Sequence, residues 1–171
     1  AQIGTLQTTY NSVPYEGGDR IGDSFPNHRM RHALSLRLSQ AVPETRTYLT
    51  GSYRFYVDDF DILAHTLDVG VTQYLGSDVS LRLTYRLHTQ TAASFWTPLF
   101  RATTPLEAYR TADSDLSAFD AHEGGATLRW YWDRVGALST RSSYLEAAFL
   151  HYERTNGLHV NVFSIGWGWQ L

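Results

Sequence analysis

The chain has 171 residues, enough for one domain with a sizeable core and too few to require two. Its net charge of −3 leaves no nucleic-acid footprint, and the absence of cysteine removes disulfide frameworks and thiol catalysis. Hydrophobic residues reach 43 %, yet no run approaches the roughly 18 consecutive apolar residues of a spanning helix, so this chain could enter a membrane only as strands.

The aromatic content of 14 %, with 11 Tyr and 5 Trp, favours sheet. All 14 basic residues are arginine. A soluble barrel commonly shows Lys and Glu on its wet face, so the missing lysines lean towards a membrane. Ala1 reads as a processed or truncated start rather than a native first residue.

Taken in chain order, period-two alternation recurs and helical spacing is almost absent. A weak strand is expected at about Ile3 to Tyr10. Ala33 to Ser39 sets Leu34, Leu36 and Leu38 against Ser35, Arg37 and Ser39. Tyr48 to Val57 sets Leu49, Tyr53, Phe55 and Val57 against Thr50, Ser52 and Arg54. Leu63 to Leu75 and Val79 to Gln90 repeat the pattern, with Leu67, Val69 and Val71 opposing Asp68 and Gly70, and Leu83 and Tyr85 opposing Arg82, Thr84 and Arg86. Ala126 to Trp132, Ser143 to Tyr152 and His159 to Leu171 bring the count to about eight.

The connections alternate in length. Pro43-Glu44, Gly76-Ser77-Asp78 and Thr155-Asn156-Gly157 are tight, the turn at Asp58 to Asp61 is modest, and Arg134 to Thr140 is short. Asn11 to Asn27 and Thr91 to His122 are long. With Leu171 in the periplasm, every long loop falls outside and every inward turn is short, as in bacterial outer-membrane barrels. The fold expected is therefore all-β: a transmembrane antiparallel up-and-down β-barrel of about eight strands over residues 1–171, or the last eight strands of a larger barrel. An even strand count returns both termini to the periplasm.

The apolar face carries almost no charge, and a cation there costs about 2–4 kcal/mol at the bilayer midplane, so that face is read as lipid-facing. Trp130, Trp132, Trp167 and Trp169 near one set of strand ends, with Tyr53, Phe55 and Tyr85 nearer the other, suit aromatic girdles. The last strand, Ser164-Ile165-Gly166-Trp167-Gly168-Trp169-Gln170-Leu171, also reads as the terminal signal used by the barrel-assembly machinery, with Ser164, Gly166, Trp169 and Leu171 as its marks.

Several strings resemble one family. Phe25-Pro26-Asn27-His28-Arg29-Met30-Arg31-His32-Ala33 precedes the second strand, and Tyr53-Arg54-Phe55-Tyr56-Val57-Asp58-Asp59-Phe60-Asp61-Ile62-Leu63-Ala64-His65-Thr66 spans a hairpin tip. Tyr85-Arg86, Gln90, Ala92-Ala93, Phe95 and Asp115-Leu116-Ser117-Ala118-Phe119 follow. Together they resemble an uncharacterised bacterial outer-membrane β-barrel family, domain of unknown function 3570, from about Arg29 onwards. The resemblance implies a barrel, usually longer than this chain, and carries over no catalytic or cofactor residue.

On strand parity Arg31, Arg37, Arg54, Arg82, Arg86 and Arg129 face inward with Asp68 and Glu146. They are either an ion-pair network filling a narrow interior or an anion-attracting wall of a wider pore. A three-residue turn at Gly76 places Asp68 opposite Arg86 with Arg54 nearby, and Arg129 falls near Glu146. Asp58-Asp59-Phe60-Asp61 lacks the spacing of a calcium loop and reads as a solvated hairpin tip, and Asp113 with Asp115 reads likewise. His65, His88, His122 and His151 form no His-x-Ser pairing, and no Gly-x-Ser-x-Gly elbow occurs.

The expected function is that of a non-enzymatic outer-membrane barrel without cofactor, a scaffold or part of a pore, held in outer-membrane lipid. The alternatives are a lipid-modifying enzyme and an interaction module. In the latter a protein partner would bind the 91–122 loop through Phe95, Trp96, Phe100 and Tyr109.

Overall fold

The structure is a computed structural model that describes residues 2–3, 12–132 and 143–169. Four short strands come first. β1 (Gln2–Ile3) pairs antiparallel with β4 (His28–Arg29), and β2 (Ser12–Pro14) pairs with β3 (Arg20–Gly22). The main sheet has seven strands in sequential order: β5 (Arg31–Val42), β6 (Thr47–Asp58), β7 (Leu63–Leu75), β8 (Val79–Gln90), β9 (Phe119–Tyr131), β10 (Ser143–Arg154) and β11 (His159–Trp169). It is an antiparallel up-and-down meander, and two 3₁₀ turns, Pro43–Thr45 and Ser114–Leu116, are its helical elements among the described residues. No helix there is long and apolar enough to cross a membrane.

Seven of the expected strands stand where alternation puts them. The eighth, at Ile3 to Tyr10, lies outside the described residues beyond Ile3, and so do the Arg134 to Thr140 connection and Leu171. Gly76 adopts φ 72°, which a side chain disfavours, and closes the three-residue turn between β7 and β8. The largest boundary difference is at β9. The long connection is 91–118, because β9 begins at Phe119 rather than Ala126. The sheet runs through Gly124-Gly125. A β-carbon on Gly125 would stand 2.6 Å from Thr84 Oγ1, so the bare backbone makes room for its neighbour.

The chain divides into two compact units: one of residues 1–34, 55–65 and 89–119, the other of residues 35–54, 66–88 and 120–171. The first, the loop unit, has a conventional interior. Phe60, Ile62 and Ala93 form a buried cluster against which Tyr56, Phe95, Trp96 and Leu116 pack, and Val13 and Phe100 are buried as well. The second, the sheet unit, buries almost no large apolar side chain. Leu36, Leu38, Leu67, Val69, Leu83, Leu128, Phe163, Ile165 and Trp167 are all exposed, Ile165 at 82 %. The accessible surface of 11713 Å² compares with about 8,500 Å² expected for a soluble monomer of this mass.

Candidate functional site

Alternation sorts the sheet unit into two chemically distinct faces. On the apolar face charge is confined to Asp120 and Glu153, at the same strand ends as the Thr155 turn. On the polar face lie Arg37, Arg54, Arg82, Arg86, Arg129 and Arg154, with Asp68, Glu123 and Glu146.

The carboxylates of the polar face are taken up by two of these arginines and by a serine. Arg86 Nε donates to Asp68 Oδ1 at 2.5 Å, Ser52 Oγ donates to Asp68 Oδ2 at 3.1 Å, and Arg86 Nη1 lies 4.0 Å from Glu123 Oε1. Arg129 lies directly opposite Glu146 in the β9–β10 register and grips Oε2 through Nε at 2.9 Å and Nη2 at 2.5 Å. Its guanidinium also stacks 4.3 Å above the Tyr144 ring. The structure thus brings Arg86 to Asp68, as the Gly76 turn requires, and Arg129 to Glu146. Arg54 is exposed on the same face as Ser52, and Arg31 stands at the start of β5 in the loop unit.

The Asp68 and Arg86 side chains keep 35 % and 49 % exposure, which sets the energy scale. A dry pair would lose about 3–5 kcal/mol on removing one partner. Here solvent screening limits the coupling to about 1 kcal/mol or less. A double-mutant cycle of Asp68→Asn and Arg86→Gln in urea unfolding should return a small, nonzero coupling. Strict additivity would mean that the two groups do not meet.

Arg37 and Arg82 behave differently. Neither makes a hydrogen bond or ion pair among the described residues, and both line a cavity of about 260 Å³ on the polar face together with Thr84 and Arg86.

A second cluster occupies the loop unit. Asp58, expected at a solvated tip, has a side chain at 0 % exposure, and Phe60 is buried beside it. Its Oδ2 accepts from Arg29 Nε at 2.9 Å, from Arg29 Nη2 and from the Tyr56 hydroxyl at 2.6 Å. Its Oδ1 accepts from the Phe60 and Ile62 backbone N–H groups at 3.0 and 3.1 Å. Burial pushes the Asp58 carboxyl up, but the Tyr56 hydroxyl, the Arg29 guanidinium and the Ile62 N–H outweigh it and hold the group below the usual carboxylate range. The solvated reading applies to Asp59 and Asp61, which are exposed. It fails at Asp58 because five donors converge on that one carboxylate. Asp23 is the opposite case. It is buried, with the Thr111 hydroxyl donating to Oδ2 at 3.1 Å and Oδ1 without a hydrogen-bond partner among the described residues, and burial pushes its carboxyl up.

The four candidate anchors of the long segment part company. Phe100 is 3 % exposed, Phe95 packs edge-on to Phe60 at 4.8 Å, and Trp96 packs against the same buried cluster. Phe100 is thus interior and Phe95 and Trp96 are partly buried in the loop unit, because a segment this long folds over its own aromatics. Tyr109 is exposed, as are Leu99 and Leu106.

Of the histidines, His65 stacks on Phe55 at 5.3 Å, while His88 Nδ1 lies 2.9 Å from Thr66 Oγ1. Tyr85 Oη lies 2.6 Å from His122 Nδ1, and His151 Nδ1 lies 2.8 Å from Asn161 Oδ1. Ladder register adds His122, Glu153 and His159 as one cross-strand row on the apolar face, a feature visible only once the β9–β10–β11 register is known. No group of side chains that could hold a metal ion occurs among the described residues. Of the terminal signal, Ser164 and Gly166 are polar-face positions of β11, opposite Ala148 and Glu146. Trp169 ends that strand, and Leu171 lies outside the described residues.

No curated protein and no solved structure matches this chain. One family model does, over residues 7–160, and it spans the strings quoted above together with β5 to β10 and the first residues of β11. The chain belongs to that family, described as Protein of unknown function (DUF3570).

Proposed function

We propose that this chain is an integral β-barrel protein of the bacterial outer membrane, without enzymatic activity, whose sheet unit crosses the bilayer and whose polar face lines the barrel interior. The single observation behind this reading is the pairing of an exposed apolar face with a polar face that holds nine of the eleven charged residues on the sheet unit's strands. In water such a face is an aggregation hazard, whereas in hydrocarbon it is what a spanning strand requires.

Length agrees. The parts of the main-sheet strands that lie in the sheet unit run from 8 residues (35–42 and 47–54) to 12 (120–131 and 143–154), around the roughly 9–11 residues that a tilted strand needs to cross the hydrocarbon. On β9 the apolar-face row runs from Asp120 and His122 at one end through Gly124, Ala126 and Leu128 to Trp130 at the other. On β11 Asn161 and Trp167 flank Phe163 and Ile165. Polar groups at one end of each row and indoles at the other suit the two interfaces of a bilayer. The spanning segments are then the strand residues of the sheet unit alone, and Asp58 and Asp23 lie outside them. Outer-membrane lipid and, during biogenesis, the barrel-assembly machinery are the partners this reading requires.

Tryptophan quenching tests it. Refolded into vesicles containing brominated acyl chains, the protein should lose much of its indole emission, since Trp130 and Trp167 are exposed on the apolar face. A variant keeping only Trp96, which packs in the loop unit, should be spared. Full emission from Trp130 and Trp167 in brominated vesicles would sink the reading. A second reading, a protein partner bound by the 91–118 segment, rests on the exposed Leu99, Leu106 and Tyr109.

A further inference from the structure

The acidic groups of the sheet unit's polar face are already engaged. Asp68 holds Arg86 and Ser52, Glu146 holds Arg129, and Glu123 lies within ion-pair distance of Arg86. Two cations are left over. Arg37 on β5 and Arg82 on β8 make no hydrogen bond or ion pair among the described residues, yet both line the same cavity of about 260 Å³. Arg86 joins them there, so three guanidiniums face two carboxylates, Asp68 and Glu123, and both of those carboxylates are drawn to Arg86.

This imbalance runs against the whole chain, whose net charge is −3. The acids gather at turns and in long segments, as at Asp59, Asp61, Asp78, Glu107, Asp113 and Asp115, while the polar face keeps the surplus arginines. Positive charge set within low-dielectric walls focuses the field and raises the local concentration of anions. Guanidinium forks match the oxygens of a phosphoryl group in pairs, which a point charge does not. The Thr84 hydroxyl at the same cavity makes no hydrogen bond among the described residues and adds a neutral donor. The volume falls just under the roughly 300–1,000 Å³ of drug-sized pockets, a scale for a small solute.

We infer that the cavity at Arg37 and Arg82 is a binding site for a small phosphate-bearing anion, either inorganic phosphate or a phosphorylated small solute. The inference rests on the barrel reading for its location in a lumen. The site itself needs only the folded sheet.

The test is calorimetric titration of the full chain, refolded in detergent micelles, with inorganic phosphate in one arm and glycerol phosphate in the other. Wild type should bind at least one of the two, and Arg37→Gln with Arg82→Gln should weaken that binding at least tenfold. A control of equal charge loss, Arg20→Gln with Arg101→Gln, removes two arginines outside the cavity and should change affinity less than twofold. Far-ultraviolet circular dichroism and the unheated gel shift confirm that each variant folds. Failure of wild type to bind either anion overturns the site, and so does equal weakening in the two double variants. Tryptophan quenching in brominated vesicles separates this from the membrane reading. Quenching without phosphate binding discards the anion site alone, and phosphate binding without quenching discards the membrane alone.

Discussion

Replacing Asp58 with alanine should cost about 3–5 kcal/mol of unfolding free energy, the scale of a buried ion pair broken on one side. The Arg29 guanidinium, its side chain only 14 % exposed, would be left without its carboxylate, though still stacked 4.3 Å over Phe60. The Tyr56 hydroxyl and the Phe60 and Ile62 N–H groups would lose their acceptor as well, and an orphaned buried donor costs about 1–3 kcal/mol. Asp59→Ala is the matched control. Asp59 accepts from the Met30 N–H at 2.9 Å but keeps 46 % side-chain exposure, so its loss should cost about 1 kcal/mol or less. Urea unfolding of both variants measures the difference, and equal costs would remove Asp58 from its central place in the loop unit.

The same carboxylate gives a pH dependence of known sign. The folded Asp58 lies below the ordinary value of 3.8, so its contribution is complete above that value and is lost as the pH falls through the lowered one. Asp23 runs the other way. Its folded value is raised by burial, so its contribution is lost as the pH rises from 3.8 through the raised value. At neutral pH Asp23→Asn should therefore leave stability unchanged or improve it, while Asp58→Asn lowers it. A drop from Asp23→Asn as large as that from Asp58→Asn would contradict these assignments.

The contrast between the two aspartates marks what was legible in the sequence. Strands were legible because a period of two survives any tertiary arrangement. Leu34-Ser35-Leu36-Arg37-Leu38 can be little else, and β7 and β8 lie where alternation and the Gly76 turn put them. The Asp68–Arg86 contact followed from the same counting, since the tight Gly76 turn sets the register of both arms, while Arg129–Glu146 followed less directly because the connection between β9 and β10 is longer. Asp58 was not legible. It is one of three acids within four residues, and only the approach of Arg29, 29 positions earlier, distinguishes it from Asp59 and Asp61. The long segment misled for a related reason. Phe95, Trp96 and Phe100 read as exposed anchors because no period governs a loop; Phe95 and Trp96 are partly buried against Phe60, Ile62 and Ala93, and Phe100 is buried beside Tyr15 and Arg110, contacts that a local reading does not connect. The site at Arg37 and Arg82 was half visible: parity gave the face, but which arginines stay unpaired depends on the partners taken by Asp68, Glu123 and Glu146.

Leu83→Arg should lower the free energy of folding into bilayers by about 2–4 kcal/mol, the depth-dependent cost of a cation near the midplane. Leu83 stands near the middle of β8 on the apolar face and is 50 % exposed, so the substitution buries no new volume within the protein. In water an exposed leucine exchanged for arginine changes stability by only about 0.5 kcal/mol, and the size of the effect therefore reports the medium rather than the packing. Ser35→Arg is the matched control. Ser35 is exposed on the polar face of β5, between Leu34 and Leu36, so a guanidinium there enters the aqueous interior. It should cost about 1 kcal/mol or less even beside Arg37, because screening in water limits the repulsion. Both variants are compared with wild type by urea titration in vesicles and again in detergent micelles, whose interface is thinner and more deformable. The Leu83→Arg penalty should be large in vesicles and smaller in micelles, while Ser35→Arg should vary little between the two. A Leu83→Arg variant as stable in vesicles as Ser35→Arg would place the apolar face in water. The exposure of Leu36, Phe163 and Ile165 would then call for a protein partner in place of lipid.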